Sequence, residues 1–334
     1  MSSSSSSSTR TTLDPSPVDT TRRGGLLRGL DWRSYAIYIG FVVVFILFAI
    51  FLGDDGFLTS TNLLNIFRQT AIISVMAVAM TFVIAAAQID LSVGSVAGLS
   101  SVVAAMAIAG TGNALFGVLA GLGVGLVVGI INGGLVTFLG MPSFLVTLAM
   151  LGIAFGLAQL ITASAPQPIL DDTFNAIFGG GNIGPIPGLL VWTVVAVVIG
   201  AVVLAKTRYG RQVLATGGNR VAAEYSGVNT KRITFTVMLV SSVVAAIAGM
   251  LYAGRLESGR YQWGTGDELS VIAAVILGGT SLFGGAGSVI GALFGSLLIG
   301  LINNGLILAG LDNSQQQIIR GLIIIVAVAL ARKK

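Results

Sequence analysis

Ten apolar runs, most of them close to the roughly 20 residues that a helix needs to cross a bilayer, dominate this chain. Charged residues make up only 9% of the sequence, whereas an average soluble domain contains about 25%. Helices satisfy their own backbone hydrogen bonds inside lipid, so the runs predict an all-α polytopic membrane protein with about ten transmembrane helices. The runs are 35–52, 67–87, 92–110, 114–138, 143–163, 189–205, 233–254, 269–283, 287–308 and 315–331.

Composition also limits the chemistry of the chain. Its 46 glycines predict closely packed spans, because small residues let helix backbones approach one another in membranes. The sequence has no Cys and no His, which excludes thiol chemistry, the usual zinc sites and a Ser-His triad. We therefore expect no catalytic residues, no metal and no cofactor on this chain, which is predicted not to be an enzyme.

The charges predict an orientation. Fourteen of the 18 Lys and Arg residues fall in 1–33, in 206–232 and at the C-terminal end, so these parts are predicted to be cytoplasmic, with both termini inside. This rule also explains the net charge of +5, and no nucleic-acid partner is expected. We predict that the Ser/Thr/Arg-rich tail 1–33 is disordered and that 34–334 forms the membrane domain. A signal peptide is the alternative, but no clear cleavage site follows.

Two pairs of similar segments predict an internal two-fold repeat. GIINGGL at 129–135 resembles GLINNGL at 300–306, with Asn132 and Asn303 separated by 171 positions. DLSVGSVAG from Asp90 resembles DELSVIAAV from Asp267, at a separation of 177 positions. Matching order and similar separation make chance similarity the weaker explanation, and repeated halves are common in transporters.

Asp90 is the sharpest polar feature between two apolar runs. A carboxylate at membrane depth is costly unless it faces water, a partner or the interior of the bundle. Asp90 and Ser92 either line a pathway or cap the next helix, and the two roles are compatible. Nearby Asn side chains either join helices or contact a hydroxylated solute. The candidate translocation residues are Gln88, Asp90, Ser92, Asn132, Asn303 and Asn304.

The basic island 206–232 predicts a contact with a soluble partner. Within it, AAEYSG is predicted to form a short helix that ends at Gly227. A short rigid helix there can pass the movement of a partner to the flanking spans. The chain has no phosphate-binding G-x-x-x-x-G-K-[ST] loop, so any ATP that drives it must bind to another chain.

Several segments resemble the membrane permease subunits of ribose-type monosaccharide ABC importers. They are IDLSVGS at 89–95, TRYGRQVLATGGNRVAAEYSGVNTKR at 207–232, GTGDELSVIAAVILGGTSLFGGAGSVIGALFG at 264–295 and GLINNGL at 300–306. The resemblance extends from about residue 60 to the C-terminus. It implies a permease of the bacterial cytoplasmic membrane that imports a monosaccharide or related polyol.

The resemblance also implies partners and a coupling motif. It implies a second permease copy, cytoplasmic ABC ATPase subunits, and an extracytoplasmic sugar-binding protein that determines which sugar is carried. The motif that contacts the ATPase maps onto Asn219, Arg220, Ala222, Ala223, Glu224, Tyr225, Ser226 and Gly227. Two alternatives remain: a permease for branched-chain amino acids or nucleosides, and an ion-coupled secondary transporter.

Overall fold

A computed structural model describes residues 32–331, and the predicted tail 1–33 lies outside them except for its last two residues. Ten helices correspond to the ten predicted apolar runs. They are α1 (Trp32–Phe51), α2 (Ser60–Ala85), α3 (Val93–Thr111), α4 (Ala114–Phe138), α5 (Ser143–Thr162), α7 (Gly188–Lys206), α10 (Thr230–Arg255), α11 (Asp267–Leu277), α12 (Val289–Leu308) and α13 (Asn313–Ala331). The all-α polytopic architecture is confirmed.

The remaining elements are short and lie in the connections. Between α5 and α7 they are β1 (Gln167–Pro168), α6 (Asp172–Asn175), a π-helix (Ala176–Gly180), β2 (Asn182–Ile183) and β3 (Ile186–Pro187). Between α7 and α10 they are α8 (Arg208–Gly218) and α9 (Arg220–Tyr225), and β4 (Ser258–Gly259) follows α10. The strands pair antiparallel as β1 with β4 and β2 with β3.

Seven helices in the described part of the chain are long and apolar enough to cross a membrane. Helix α11 has 11 residues and is about 16 Å long, roughly half of the bilayer core. The predicted run 269–283 is therefore wrong at its C-terminal end, because the helix stops at Leu277. A glycine-rich turn follows, in which Gly279 and Gly284 have φ of 89° and 82°. The total of ten spans stays a prediction.

Helix boundaries recur with a similar separation in the two halves of the chain. Helices α2 and α10 both have 26 residues and begin 170 positions apart, at Ser60 and Thr230. Helices α5 and α13 also begin 170 positions apart, at Ser143 and Asn313. In each half a non-helical segment and a helix with an Asp near its start follow the 26-residue helix, as the predicted repeat requires.

Glycines allow α4 to pack closely against α10. A methyl group added at Gly125 would lie 2.7 Å from Cβ of Ala246, and one at Gly129 would lie 2.9 Å from Cα of Leu239. The two backbones are thus nearly in contact along this face. The prediction that the glycines pack the spans tightly is confirmed here.

Candidate translocation site and coupling surface

A break between α2 and α3 positions the first group of predicted site residues. Ala87 has a left-handed φ of 57°, and the chain runs without helix from there to the start of α3. Asp90 is fully buried within this break, and its Oδ1 accepts hydrogen bonds from Ser92 N at 2.9 Å and Ser92 Oγ at 2.6 Å. Ser92 Oγ in turn accepts one from Asn132 Nδ2 at 3.1 Å. The structure therefore joins Asp90, Ser92 and Asn132.

The predicted capping role holds only in part. Ser92 occupies the position before the first turn of α3, but its side chain makes no capping hydrogen bond. Asp90 binds one backbone donor, that of Ser92, because the break turns the carboxylate toward its own loop. The other Asp90 oxygen and Asn132 Oδ1 are buried without a hydrogen-bond partner within residues 32–331. Ser241 Oγ approaches the carboxylate without the geometry of a full hydrogen bond.

Two residues that sequence reasoning missed hold the break in place. Ser143 Oγ accepts a hydrogen bond from Ile89 N at 3.1 Å, and Thr147 Oγ1 accepts one from Leu91 N at 3.0 Å. Both lie in the first turns of α5, four positions apart, so they face the same side of that helix. The sequence pattern that could have identified them is a pair of hydroxyl residues four positions apart at the start of an apolar run. They satisfy backbone donors that would otherwise be unpaired inside the bundle.

The other predicted translocation residues lie elsewhere. Asn304 on α12 exchanges two hydrogen bonds with Asn62 on α2, at 2.8 and 3.1 Å, so its amide joins two helices. Asn303 beside it is half-buried, and Gln88 is half-buried and bonds to the nearby Ala86 carbonyl. The predicted residues thus do not form one site, because Asp90, Ser92 and Asn132 cluster together whereas Asn304 joins α2 to α12.

An aromatic and acidic segment before α11 was also missed. The Tyr252 hydroxyl donates to Asp267 Oδ2 at 2.6 Å, and the Tyr252 ring stacks on Trp263 with centroids 6.1 Å apart. Arg260 lies over the same indole at 5.3 Å, and Tyr261 meets Phe155 edge to face. The run YQWGTGDE was the sequence signal.

This segment reaches the start of α3. The backbone of Gly264 contacts Gly94, one residue into α3, and the Glu268 carboxylate approaches the same glycine. Helices α3 and α11, which correspond to each other in the two repeats, therefore begin close together. Aromatic faces beside carboxylate acceptors suit a small solute with many hydroxyl groups. Among the residues that the structure covers, no group of three or more His, Cys, Asp and Glu could hold a metal.

Helix α9 confirms the short helix predicted in the basic island. Asn219 caps it by accepting a hydrogen bond from Ala222 N at 3.0 Å, and Gly227 ends it with a φ of 81°. Ser226 Oγ donates to the Ala222 carbonyl at 2.9 Å. The helix is thus held at both ends by residues of the predicted motif.

The charge of Glu224 fixes α9 to the start of α10. Its carboxylate accepts a hydrogen bond from the Thr230 hydroxyl and pairs with Arg220 at 3.2 Å. The Thr230 hydrogen bond, with a smaller effect of Arg220, lowers the pKa of Glu224 below its ordinary value. The carboxylate therefore stays ionised at neutral pH.

The outer face of α9 exposes apolar surface. Tyr225 is 89% exposed and Val221 is 61% exposed, while Ala223 is buried against the protein. Val221 was not among the predicted residues, although it is an apolar residue in an otherwise basic loop. An exposed Tyr and Val on a short, capped helix form a natural contact for a partner.

Helix α8, which was predicted to be part of a loop, links α9 to the membrane helices. Its penultimate residue, Gly217, packs directly on the Ala85 carbonyl at the end of α2. Gly285 lies next to Gly217 and Gly218 and donates its N–H to the same Ala85 carbonyl at 3.0 Å. The α8–α9 unit therefore contacts α2 a few residues before the break that holds Asp90.

Residues 62–328 match the family described as branched-chain amino acid transport system / permease component. The ribose import permease protein RbsC of Escherichia coli K12 is 39% identical over 84% of this chain and 88% of its own length. No solved structure gives a significant match.

Two further relatives cover similar shares. RbsC of Bacillus subtilis 168 is 39% identical over 89% of this chain and 92% of its own length. The L-arabinose ABC transporter permease protein AraH of Azospirillum brasilense is 34% identical over 92% of this chain and 89% of its own length. The chain is a multi-pass membrane protein and belongs to the family of branched-chain amino acid transport system permease components.

Proposed function

We propose that this chain is the permease subunit of an ABC importer that moves a monosaccharide, such as ribose or a related sugar or polyol, into the cytoplasm. The relatives named above are ribose and arabinose permeases that align with most of the chain. The observation that best supports a coupling mechanism is the contact of Gly217 with the Ala85 carbonyl. This contact lies between α9, which we call the coupling helix, and the break that holds Asp90.

Coupling would run from the partner to the break in three steps. A cytoplasmic ATPase subunit grips Tyr225 and Val221 on α9, and Glu224 transmits the displacement because it ties α9 to α10. Helix α8 carries the displacement to the end of α2 through Gly217. Rigid elements with several fixed contacts move as a unit, so the break shifts with them.

The solute path would begin at the aromatic and acidic segment. Residues Gln262 and Thr265 of this segment are exposed, and Tyr261 and Trp263 are half-buried, so rings and polar groups are accessible together. The Asp90 cluster is closed to solvent, and a hydroxylated solute would reach its unpartnered oxygens only after the break moves. Weak contacts suit a conduit, which must release what it admits.

The remaining parts of the proposal concern the assembly. Two copies of the chain in a bacterial cytoplasmic membrane would form the conduit, with both termini in the cytoplasm. An extracytoplasmic binding protein would deliver the sugar and select it. The ATPase subunits would bind the ATP, and the permease itself would hold no cofactor and catalyse no reaction.

A permease for branched-chain amino acids is the second candidate, favoured by the family description. The aromatic segment favours the sugar, because aromatic faces and carboxylates suit a neutral polyhydroxylated ring better than a zwitterion with an aliphatic side chain. Uptake of labelled pentoses, hexoses, polyols and leucine into proteoliposomes decides between them. The full assembly with ATP should import a sugar, whereas leucine import would support the second candidate.

A parallel sample should contain the permease alone under an ion gradient. Our proposal predicts no uptake in that sample, because the driving ATPase is missing. Uptake by the permease alone would overturn the proposal and identify an ion-coupled secondary transporter.

A further inference from the structure

An apolar groove runs between α2, α7 and α10 at the surface of the bundle. It has a volume of about 350 Å³, and its walls include Val78, Phe82, Ile199 and Val240. Ile199 is 59% exposed and Val240 is 43% exposed, so the groove opens to the outside of the chain. Within a bilayer, such an opening faces lipid or another protein.

A polar pocket of about 420 Å³ adjoins the groove at the C-terminal end of α7, where α8 begins. It is lined by Gln212, Asn229, Arg232 and Thr236, and Tyr209 lines both the groove and the pocket. The Tyr209 ring stacks on Phe82 on the groove side, and its hydroxyl is hydrogen-bonded to Thr236 Oγ1 at 3.0 Å on the pocket side. The two spaces together therefore form one amphipathic site.

The charges around the polar pocket favour an anion. Arg232 lines it, no acidic residue does, and Lys206, Arg208 and Arg211 are exposed in the same region. Within residues 32–331 the only ion pair joins Arg220 to Glu224, so Arg232 has no ion-pair partner there. A basic cluster beside an apolar surface attracts acidic lipid headgroups.

The length of the groove matches one leaflet. It follows α7 from Trp192 to Val203, a rise of about 17 Å, and half of the bilayer core is about 15 Å. A headgroup in the polar pocket would place an acyl chain along the whole groove. A second protein chain would fill the groove with a helix but would leave the basic pocket without an anion.

We infer that this site binds an anionic phospholipid of the cytoplasmic leaflet, with one acyl chain in the groove and the phosphate beside Arg232. Gly227, the residue that ends α9, also lines the polar pocket, so the bound headgroup would lie against the coupling helix. The lipid would thereby stabilise the position of α9 on the membrane domain. This site is separate from the Asp90 cluster and does not depend on which solute is carried.

Native mass spectrometry of the full chain, released from nanodiscs of phosphatidylglycerol and phosphatidylethanolamine, tests the inference. Arg232→Gln removes the anion contact, and Ile199→Trp fills the groove. Lys231→Gln is the matched control for charge, since Lys231 is exposed but does not line the pocket. Val202→Trp is the matched control for bulk, since Val202 is 52% exposed on α7 outside the groove.

We expect Arg232→Gln and Ile199→Trp each to lower retained phosphatidylglycerol several-fold, while both controls retain it like the wild type. Retention of phosphatidylethanolamine should change little in Arg232→Gln. Equal phosphatidylglycerol retention in all five proteins would overturn the inference. So would loss of the permease dimer in Ile199→Trp with unchanged lipid, because the groove would then be occupied by the second copy.

Discussion

Gly285 donates its backbone N–H to the carbonyl of Ala85 at 3.0 Å, which joins the turn before α12 to the last residue of α2. Gly217 of α8 packs on the same carbonyl. Three parts of the chain that are far apart in sequence thus meet at one oxygen. Because α8 leads into α9 and α2 leads into the Asp90 break, this point is where movement of the coupling surface would enter the membrane domain.

Gly217→Ala should therefore damage transport. An added methyl group would collide with the Ala85 carbonyl, and we expect a destabilisation of about 1 to 3 kcal/mol with a several-fold loss of uptake per ATP hydrolysed. Gly218→Ala is the matched control, because its methyl would lie 3.5 Å from Gly285 Cα, an ordinary contact. Uptake and ATPase activity in the same proteoliposomes measure the effect. Equal coupling in the two variants would contradict the proposed route.

Tyr225→Ala should separate the permease from its ATPase without unfolding it. Tyr225 is 89% exposed, so its loss removes little packing inside the chain, while an exposed aromatic side chain is typical of a strong interface contact. We expect unchanged thermal unfolding and much weaker co-purification of the ATPase. Leu170→Ala is the control, since Leu170 is 90% exposed on the segment between α5 and α7. If Tyr225→Ala and Leu170→Ala weakened co-purification of the ATPase equally, α9 would not be the docking site.

The long helices could be predicted because bilayer thickness sets their length and lipid sets their composition. The predicted 114–138 coincides with α4, and the boundaries of α5 and α7 agree within one residue. Helix α8 was missed because its sequence is polar and amphipathic, and because its Gly217 packs against Ala85 and Gly285, which are distant in sequence. The end of α11 was misplaced because Leu282 and Phe283 continue the apolar run beyond the glycines at which the helix stops.

The candidate site could be predicted only around a residue whose burial in a membrane is energetically unfavourable without a partner. Asp90 stood out because a carboxylate at membrane depth needs a partner, and Ser92 and Asn132 do lie beside it. Ser143 and Thr147 were missed because hydroxyls are common in apolar helices and become significant only through the backbone donors that they reach. The Asn304 partner, Asn62, lies 242 positions away, and no local pattern pairs them.

Asn62 and Asn304 should show strong coupling in a double-mutant cycle. Each amide donates to the other, so either single Ala variant removes both hydrogen bonds of the pair. We expect about 1 kcal/mol of destabilisation for each single variant and little further loss in the double variant. Thermal unfolding in detergent measures the cycle. Additive losses would show that the two side chains act independently.

Uptake by the same Asn304→Ala protein, corrected for the amount of folded protein, separates the two roles of this residue. If Asn304 serves only to hold α2 and α12 together, uptake should stay near that of the wild type. A large loss of uptake with little loss of stability would instead restore Asn304 as a translocation residue.

Replacement of Asp90 by Asn should stabilise or leave unchanged the fold, whereas Asp90→Ala should destabilise it. Asn keeps an acceptor for Ser92 and supplies a donor to a cluster whose unpartnered atoms include Asn132 Oδ1 and Ser241 Oγ. Ala leaves the Ser92 donors unsatisfied, at a cost of about 1 to 3 kcal/mol. Thermal unfolding of the two variants measures the difference. Equal destabilisation by Asn and Ala would mean that the negative charge, rather than the acceptor, holds the break.

The link between Glu224 and Thr230 should persist at all pH values near neutrality and disappear only in acid. Folding lowers the pKa of Glu224 below its ordinary value of 4.5, so its contribution is present above that value and is lost as the pH falls through the lower, folded pKa. Glu224→Gln removes the charge at every pH. We expect binding of the ATPase by the wild type to exceed that of Glu224→Gln by a constant ratio from about pH 5.5 to pH 8. Below the ordinary pKa of Glu224 the two proteins should converge, and a ratio that changes across the neutral range would assign the effect to another group.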